Sequence, residues 1–215
     1  NFNPAARPTL RTFTQAGGGM RPDLISWYLQ SALQNGKQFF VMYGQTEATA
    51  RLSYLEPSML PEKLGSIGRA IPGVDLRVVD QDGNRVEDGV EGELIARGGN
   101  IMKGYYQDAE ETSKTLKDGW LYTGDLAYRD KDGYFYIVGR QKEIIKVGGK
   151  RISPKEIEEV ILSVPEVVDC TIRGIEDEQA AEKFLYPSLD MMSSPFLMHD
   201  MERAVERIKK AIEND

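Results

Sequence analysis

The stretch Trp120–Ile152 reads WLYTGDLAYRDKDGYFYIVGRQKEIIKVGGKRI, and it dictates sheet. Alternating runs at Leu126–Arg129 and Tyr134–Val138 flank Asp130-Lys131-Asp132-Gly133, a polar turn closed by glycine. A second hairpin follows at once: Ile144–Val147 and Lys150–Ile152 flank Gly148-Gly149. Gly139-Arg140-Gln141-Lys142 lies between the two, and Asp125 ends a Tyr-Thr-Gly turn upstream. A carboxylate, a guanidinium and a Gly-Gly tip thus fall within about one strand-turn-strand unit. A carboxylate can accept two hydrogen bonds from a cis-diol, and an arginine can donate to the same oxygens. An exposed Asp–Arg ion pair fits the same residues equally well.

The 215 residues allow one or two domains around a sizeable core. A 40% hydrophobic, 28% charged composition is that of a soluble globular chain. The net charge of −7 argues against a general nucleic-acid or anionic-membrane surface. No apolar run approaches the ~20 residues of a membrane span, and the start, Asn1-Phe2-Asn3-Pro4, carries neither a basic leader nor an initiator methionine. We therefore expect a piece of a longer, cytoplasmic protein. Cys170 is the one cysteine and His199 the one histidine, which argues against disulfides, His-based triads and Cys/His zinc sites. Chemistry is left to carboxylates, Lys, Arg, hydroxyls and backbone dipoles.

Taken in order, Leu10–Thr14 reads as a strand that runs into Gln15-Ala16-Gly17-Gly18-Gly19. A helix from Pro22 follows, with Leu24, Ile25, Tyr28, Leu29 and Leu33 as its apolar face. The glycines could present backbone N–H groups to an anion or form a plain strand-to-helix turn. Gln38–Tyr43 is a second strand ending in Gly44-Gln45-Thr46-Glu47, the kind of strand end at which α/β folds place ligands. Thr46 can donate to a phosphate oxygen, Glu47 can ligate a hard divalent cation, and Tyr43 offers a flat face to a base. A core aromatic beside a surface Thr-Glu pair is the plainer alternative. Short strands are expected from Gly65 to Arg97, including Asp75–Val79 and Gly92–Ala96, then a helix over Asp108–Leu116. Ser153-Pro154-Lys155-Glu156 reads as a capping box opening a helix with Ile157, Val160, Ile161 and Val164 as its stripe. A strand at Val167–Arg173 and an amphipathic helix from Met201 to Ile212 complete the chain.

Three segments carry a resemblance. YGQTE at Tyr43–Glu47, YTGD ending at Asp125 and GRQKEIIKVGGKRI from Gly139 resemble, in that order, the motifs of the adenylate-forming (AMP-binding) enzyme superfamily. This superfamily includes acyl-CoA synthetases, luciferases and the adenylation domains of peptide synthetases. The resemblance implies that Tyr43 stacks on adenine beside Gly44, Thr46 contacts the adenylate phosphate and Glu47 binds Mg2+. Asp125 and Arg140 would hold the ribose hydroxyls of ATP or AMP, and Lys142 would be the hinge of a small C-terminal domain. Gly17 and Gly18 would line the acyl and adenine pocket, and Gly148-Gly149 would enter the site for thioester formation. GGNIMKGYY at Gly98–Tyr106 resembles another family stretch, and its aromatic and Met residues are read as packing.

The implied function is an AMP-forming acid–thiol ligase of acyl-CoA synthetase type. It would activate a carboxylic acid, a fatty or other acyl acid, and pass it to CoA or to the phosphopantetheine of an acyl carrier protein. The implied fold is α+β. An α/β piece at 1–60 and a β-rich, barrel-like subdomain at 61–141 would complete a large domain, and a small α+β domain would occupy 142–215. The resemblance covers roughly Leu10 to Glu178. The family's Ser/Thr/Gly-rich phosphate loop and its C-terminal catalytic lysine have no counterpart here; Lys209 and Lys210 read as a solvated helix face. The isolated chain is thus expected to be incomplete for turnover and to self-associate through a face left bare. The alternative is an inactive AMP- or acyl-adenylate-binding remnant or interaction module.

Overall fold

The structure is a computed structural model, described for residues 3–147, 150–162, 170–175 and 183–185. It divides into two compact units, Asn1–Ile137 and Val138–Asp215. In the first unit, β1 (Thr12–Gln15) and β2 (Gln38–Tyr43) pair in parallel, with Gln15 opposite Val41. A parallel pair needs a crossover, and α1 (Pro22–Gln34) supplies it, opening on the proline as expected. β3 (Ser53–Leu55) and β4 (Arg69–Ala70) extend this sheet antiparallel. β3 was not legible in the sequence. β4, read as part of the β-rich subdomain, joins the first sheet instead.

α1 turns Ile25, Leu29 and Ala32 inward onto Phe39, Val41, Leu55 and Leu60. Leu24 and Leu33, expected on the same face, are 44% and 64% exposed. At about 100° per residue they fall on opposite flanks of the 25/29/32 stripe, too far round to reach the sheet.

The second sheet comprises β5 (Val74–Val79), β6 (Gly92–Gly98), β7 (Leu116–Lys117), β8 (Trp120–Arg129) and β9 (Phe135–Arg140). Its order is β5-β6-β8-β7, with β9 also on β8. α2 (Ala109–Thr115) precedes β7, and the Asp108 side chain caps it by accepting the Glu111 N–H. Lys117-Asp118-Gly119, expected only to close that helix, begins a small β7–β8 hairpin. Leu76, Val78, Leu94, Ala96, Leu121 and Ala127 pack on Ala48, Leu52, Ile67 and Phe135, so the chain just after β2 sits on the second sheet.

The β8–β9 turn is locked from outside. Lys63 reaches Asp130 at 2.8 Å and Asp132 at 2.5 Å, while Asp130 Oδ1 accepts the N–H groups of Asp132 and Tyr134. Partial burial pushes the Asp130 carboxyl up, but Lys63 and the Tyr134 N–H outweigh it and hold it below its ordinary 3.8. The two carboxylates hold Lys63 above its ordinary 10.5. A carboxyl depressed on folding stabilises fully above its unfolded pKa and loses that contribution as pH falls through the folded value. A raised lysine contributes below its unfolded pKa and loses that contribution only as pH rises past its folded one. The pair therefore stabilises across neutral pH. Lys63→Met should be less stable at neutral pH and should lose less stability in acid, its curve converging on that of the unsubstituted chain as Asp130 is protonated; superimposable urea-unfolding profiles from pH 2.5 to 7 would contradict this.

The second unit holds the hairpin β10 (Ile145–Val147) and β11 (Lys150–Ile152), α3 (Pro154–Leu162) and the antiparallel pair β12 (Arg173–Ile175) and β13 (Lys183–Leu185). Ile145, Ile157 and Ile172 form its core with Ile161 beside them. Ser153 Oγ donates to Val138 O at 3.1 Å, and the Glu158 carboxylate accepts the Ile172 N–H at 2.8 Å. Of the strand expected at Val167–Arg173, 170–172 are not in strand, Arg173 opens β12, and 167–169 lie outside the described residues. So do Gly148, Gly149, Val164 and the Met201–Ile212 helix, as does the Glu156 side chain of the expected capping box. Among the described residues no helix is long and apolar enough to cross a membrane.

Candidate functional site

Because β1 and β2 run parallel and in register, the turns after them leave the same sheet edge. One turn holds Gly17-Gly18 and the other Gly44-Gln45-Thr46-Glu47, where a short 3-10 turn spans Thr46–Ala48. This second turn doubles back tightly. Leu52 N donates to Tyr43 O at 2.9 Å, and a Cβ on Gly44 would lie 2.5 Å from Ala50 O and 2.8 Å from Arg51 Cα. Glycine at position 44 is therefore required by a close approach of two backbone segments.

Asp125 is reached differently from the expectation, since it ends no turn. Tyr122 and Leu126 of β8 pair with Ile95 and Glu93 of β6, so Thr123, Gly124 and Asp125 together oppose Leu94 alone. The segment is a bulge, the device by which a strand re-aims a side chain. Local bonds replace the ladder: Thr123 Oγ1 donates to Leu94 O at 2.6 Å and accepts the Asp125 N–H at 3.1 Å, and Gly124 N donates to Glu93 Oε1 at 3.1 Å. Burial pushes the Glu93 carboxyl above its ordinary 4.5, Asp125's charge adds to this, and the Gly124 N–H and Lys117 oppose it.

The bulge delivers Asp125, only 4% exposed, to the end of β2. There Tyr43 OH donates to Asp125 Oδ2 at 2.5 Å and Gln45 Nε2 donates to the same oxygen at 3.0 Å. Tyr43 was singled out for its ring, and in the structure its hydroxyl fixes the carboxylate as well.

Glu47 is tied to the segment after β6. Its backbone carbonyl accepts the Met102 N–H at 2.7 Å and its Oε1 accepts the Tyr105 hydroxyl at 2.8 Å. Burial, then the hydrogen bond to Glu47, pushes the Tyr105 phenol up. Asn100 holds the same turn through Ala48 O and Arg51 O at 3.0 and 2.8 Å. Tyr105, an aromatic read as packing from sequence, and Asn100 are thus polar ties to the Thr46–Glu47 turn. Their place in the Gly98–Tyr106 stretch was the available signal. Among the described residues no three His, Cys, Asp or Glu side chains gather as a metal cage. A single carboxylate oxygen donor such as Glu47 suits Mg2+, which takes one or two carboxylates and completes its shell with substrate phosphates and water.

In the second unit Arg140 ends β9 and is exposed, and Glu143 N donates to Arg140 O at 3.0 Å, so Lys142 rides in a tight exposed turn. Gly148 and Gly149 lie outside the described residues.

The first unit thus sets a parallel pair with a glycine-punctuated edge beside a sheet that presents a buried carboxylate. Residues 2–106 match the AMP-binding enzyme family. The indoleacetate–CoA ligase of Aromatoleum aromaticum is 38% identical over 149 residues, 69% of this chain and 29% of that protein. A feruloyl-CoA synthase from an Amycolatopsis species is 37% identical over 174 residues, 81% of this chain and 35% of that one. The solved o-succinylbenzoate CoA synthetase from Bacillus subtilis, in complex with its acyl-adenylate intermediate, superimposes with a TM-score of 0.78 at 31% identity. That match covers 88% of this chain and 38% of the synthetase. The chain belongs to the AMP-binding enzyme family. It spans about a third of the length of the curated relatives it matches.

Proposed function

We propose that this chain supplies the nucleoside-holding part of an AMP-forming acid–thiol ligase whose acid carries an aromatic group. The observation that carries the reading is the buried Asp125 carboxylate, lifted by its bulge to the ligand edge and fixed by Tyr43 and Gln45. The relatives named above act on indoleacetate, ferulate and o-succinylbenzoate, which favours an aryl acid over a fatty acid.

In the reaction a carboxylate oxygen of the acid attacks the α-phosphorus of ATP and pyrophosphate leaves. The thiol sulfur of CoA, or of a carrier protein's phosphopantetheine, then attacks the acyl carbon of the acyl-adenylate and AMP departs. The protein's part is positioning and stabilisation of charge. Asp125 and Arg140 hold the ribose hydroxyls, the Tyr43 ring and Gly44 border the adenine, and Gly17 and Gly18 line the acyl side. Thr46 donates to the α-phosphate. Glu47 would hold Mg2+, which neutralises phosphate charge when bound. Two steps at one site call for two different lids, and a hinge at Lys142 between a large domain ending at 141 and a small one from 142 meets that need, bringing Gly148-Gly149 to the thiol arm.

The test is an assay of a polypeptide of the relatives' length that carries this chain, given ATP, Mg2+, CoA and a panel of acids. Acyl-CoA and AMP should form in equal amounts with aryl acids and far more slowly with palmitate. Equal rates with palmitate would overturn the aryl assignment, and no acyl-CoA from any acid would overturn the ligase reading.

A further inference from the structure

We propose that Gln45 is the positioning residue that couples the ribose anchor to the phosphate-facing turn, an inference that rests on the nucleoside reading of Asp125 above. Gln45 is bonded to both halves of the site at once. Its side-chain Nε2 donates to Asp125 Oδ2 at 3.0 Å and to Thr123 O at 2.8 Å, so it grips the bulge at two points. Its backbone carbonyl accepts the N–H groups of Ala48 and Ala50, each at 3.0 Å, so it also closes the turn that carries Thr46 and Glu47. The Gln45–Asp125 bond joins residues 80 positions apart.

The chemistry of the side chain is specific. Both partners of the amide, a carboxylate oxygen and a carbonyl oxygen, are acceptors, so only the NH2 end serves, and its two protons match the two partners. Methionine has the length without the donor, and glutamate has the length with an acceptor aimed at an acceptor. Gln45 is extended, with φ −133° and ψ 161°, and stands two residues after Tyr43. Side chains at i and i+2 of extended chain share a face, which explains why the two donors converge on one oxygen. Tyr43 bonds the carboxylate through its hydroxyl, and Gln45 bonds the carboxylate, the bulge backbone and the turn. A shift of the bulge relative to the turn must break a Gln45 bond, so the ribose-to-phosphate spacing is set through this residue.

The experiment compares the full chain with Gln45→Met and Gln45→Glu, titrating each with AMP and with 2′,3′-dideoxy-AMP. Thermal melts serve as the control for folding. The preference for AMP reports contact with the ribose hydroxyls, which a merely structural role would not move selectively. Gln45→Met should lose about tenfold of that preference, the scale of one charge-assisted hydrogen bond. Gln45→Glu should lose more, since it sets one carboxylate against another. An unchanged preference in either folded variant overturns the inference and leaves the nucleoside reading standing. If the unsubstituted chain, folded, shows no preference for AMP, the nucleoside reading fails first and takes the inference with it.

Discussion

Replacing Asp125 with asparagine should weaken AMP binding by roughly 30- to 100-fold while leaving the fold in place. The magnitude follows from the geometry: hydrogen bonds to a charged group contribute about 1.5–3 kcal/mol, and the ribose would lose its anionic acceptor. The fold survives because an asparagine carbonyl can still accept from Tyr43 OH and Gln45 Nε2, which now meet at Oδ2. Asp125→Ala should behave differently. It removes the acceptor that Tyr43 OH and Gln45 Nε2 share at a buried position, at a stability cost of about 1–3 kcal/mol, and so confounds binding with folding. Calorimetric titration of the asparagine variant, beside its melting curve, checks the claim. An AMP affinity equal to that of the unsubstituted chain would remove Asp125 from the site.

The second large effect concerns the frame. Gly68 has φ +82°, and a Cβ built on it would lie 1.8 Å from Tyr54 O and 2.4 Å from Leu55 N. Those are backbone atoms of β3, held on both sides by β2 and β4, so they cannot move aside. The position also stitches the chain to β9: Phe135 N donates to Gly68 O at 3.0 Å, and Ile67 N donates to Phe135 O at 2.9 Å. Gly68→Ala combines left-handed strain with a backbone collision, and a loss of more than ~3 kcal/mol is expected. Urea unfolding would show a collapsed or absent transition. A variant within ~1 kcal/mol of the unsubstituted chain would mean that β3 and β4 are not packed as described.

How much of this was legible depended on how local the information was. The Asp130–Gly133 turn, α1 from Pro22 and the β2 strand were readable because each is written in consecutive residues. The Asp125 bulge was mistaken for a turn because Tyr-Thr-Gly-Asp is turn-like locally, and only the pairing of β8 with β6 shows that the strand continues through it. β3 is three residues long and lies beside a Pro-punctuated loop, too short for periodicity to reveal. At the site, motif resemblance pointed to Tyr43, Glu47 and Asp125, whereas their polar partners are long-range. Tyr105 meets Glu47 across 58 positions, and no spacing rule links the two. Leu24 and Leu33 show the converse, since hydropathy marked them for the core and helix phase kept them out.

The most direct test is titration of the unsubstituted chain with AMP beside 2′,3′-dideoxy-AMP. The account predicts saturable AMP binding, with the dideoxy nucleotide at least about tenfold weaker, because the role proposed for the Asp125 carboxylate is to accept the ribose hydroxyls. Equal affinity for the two nucleotides, or no binding by a chain that melts cooperatively, would contradict it.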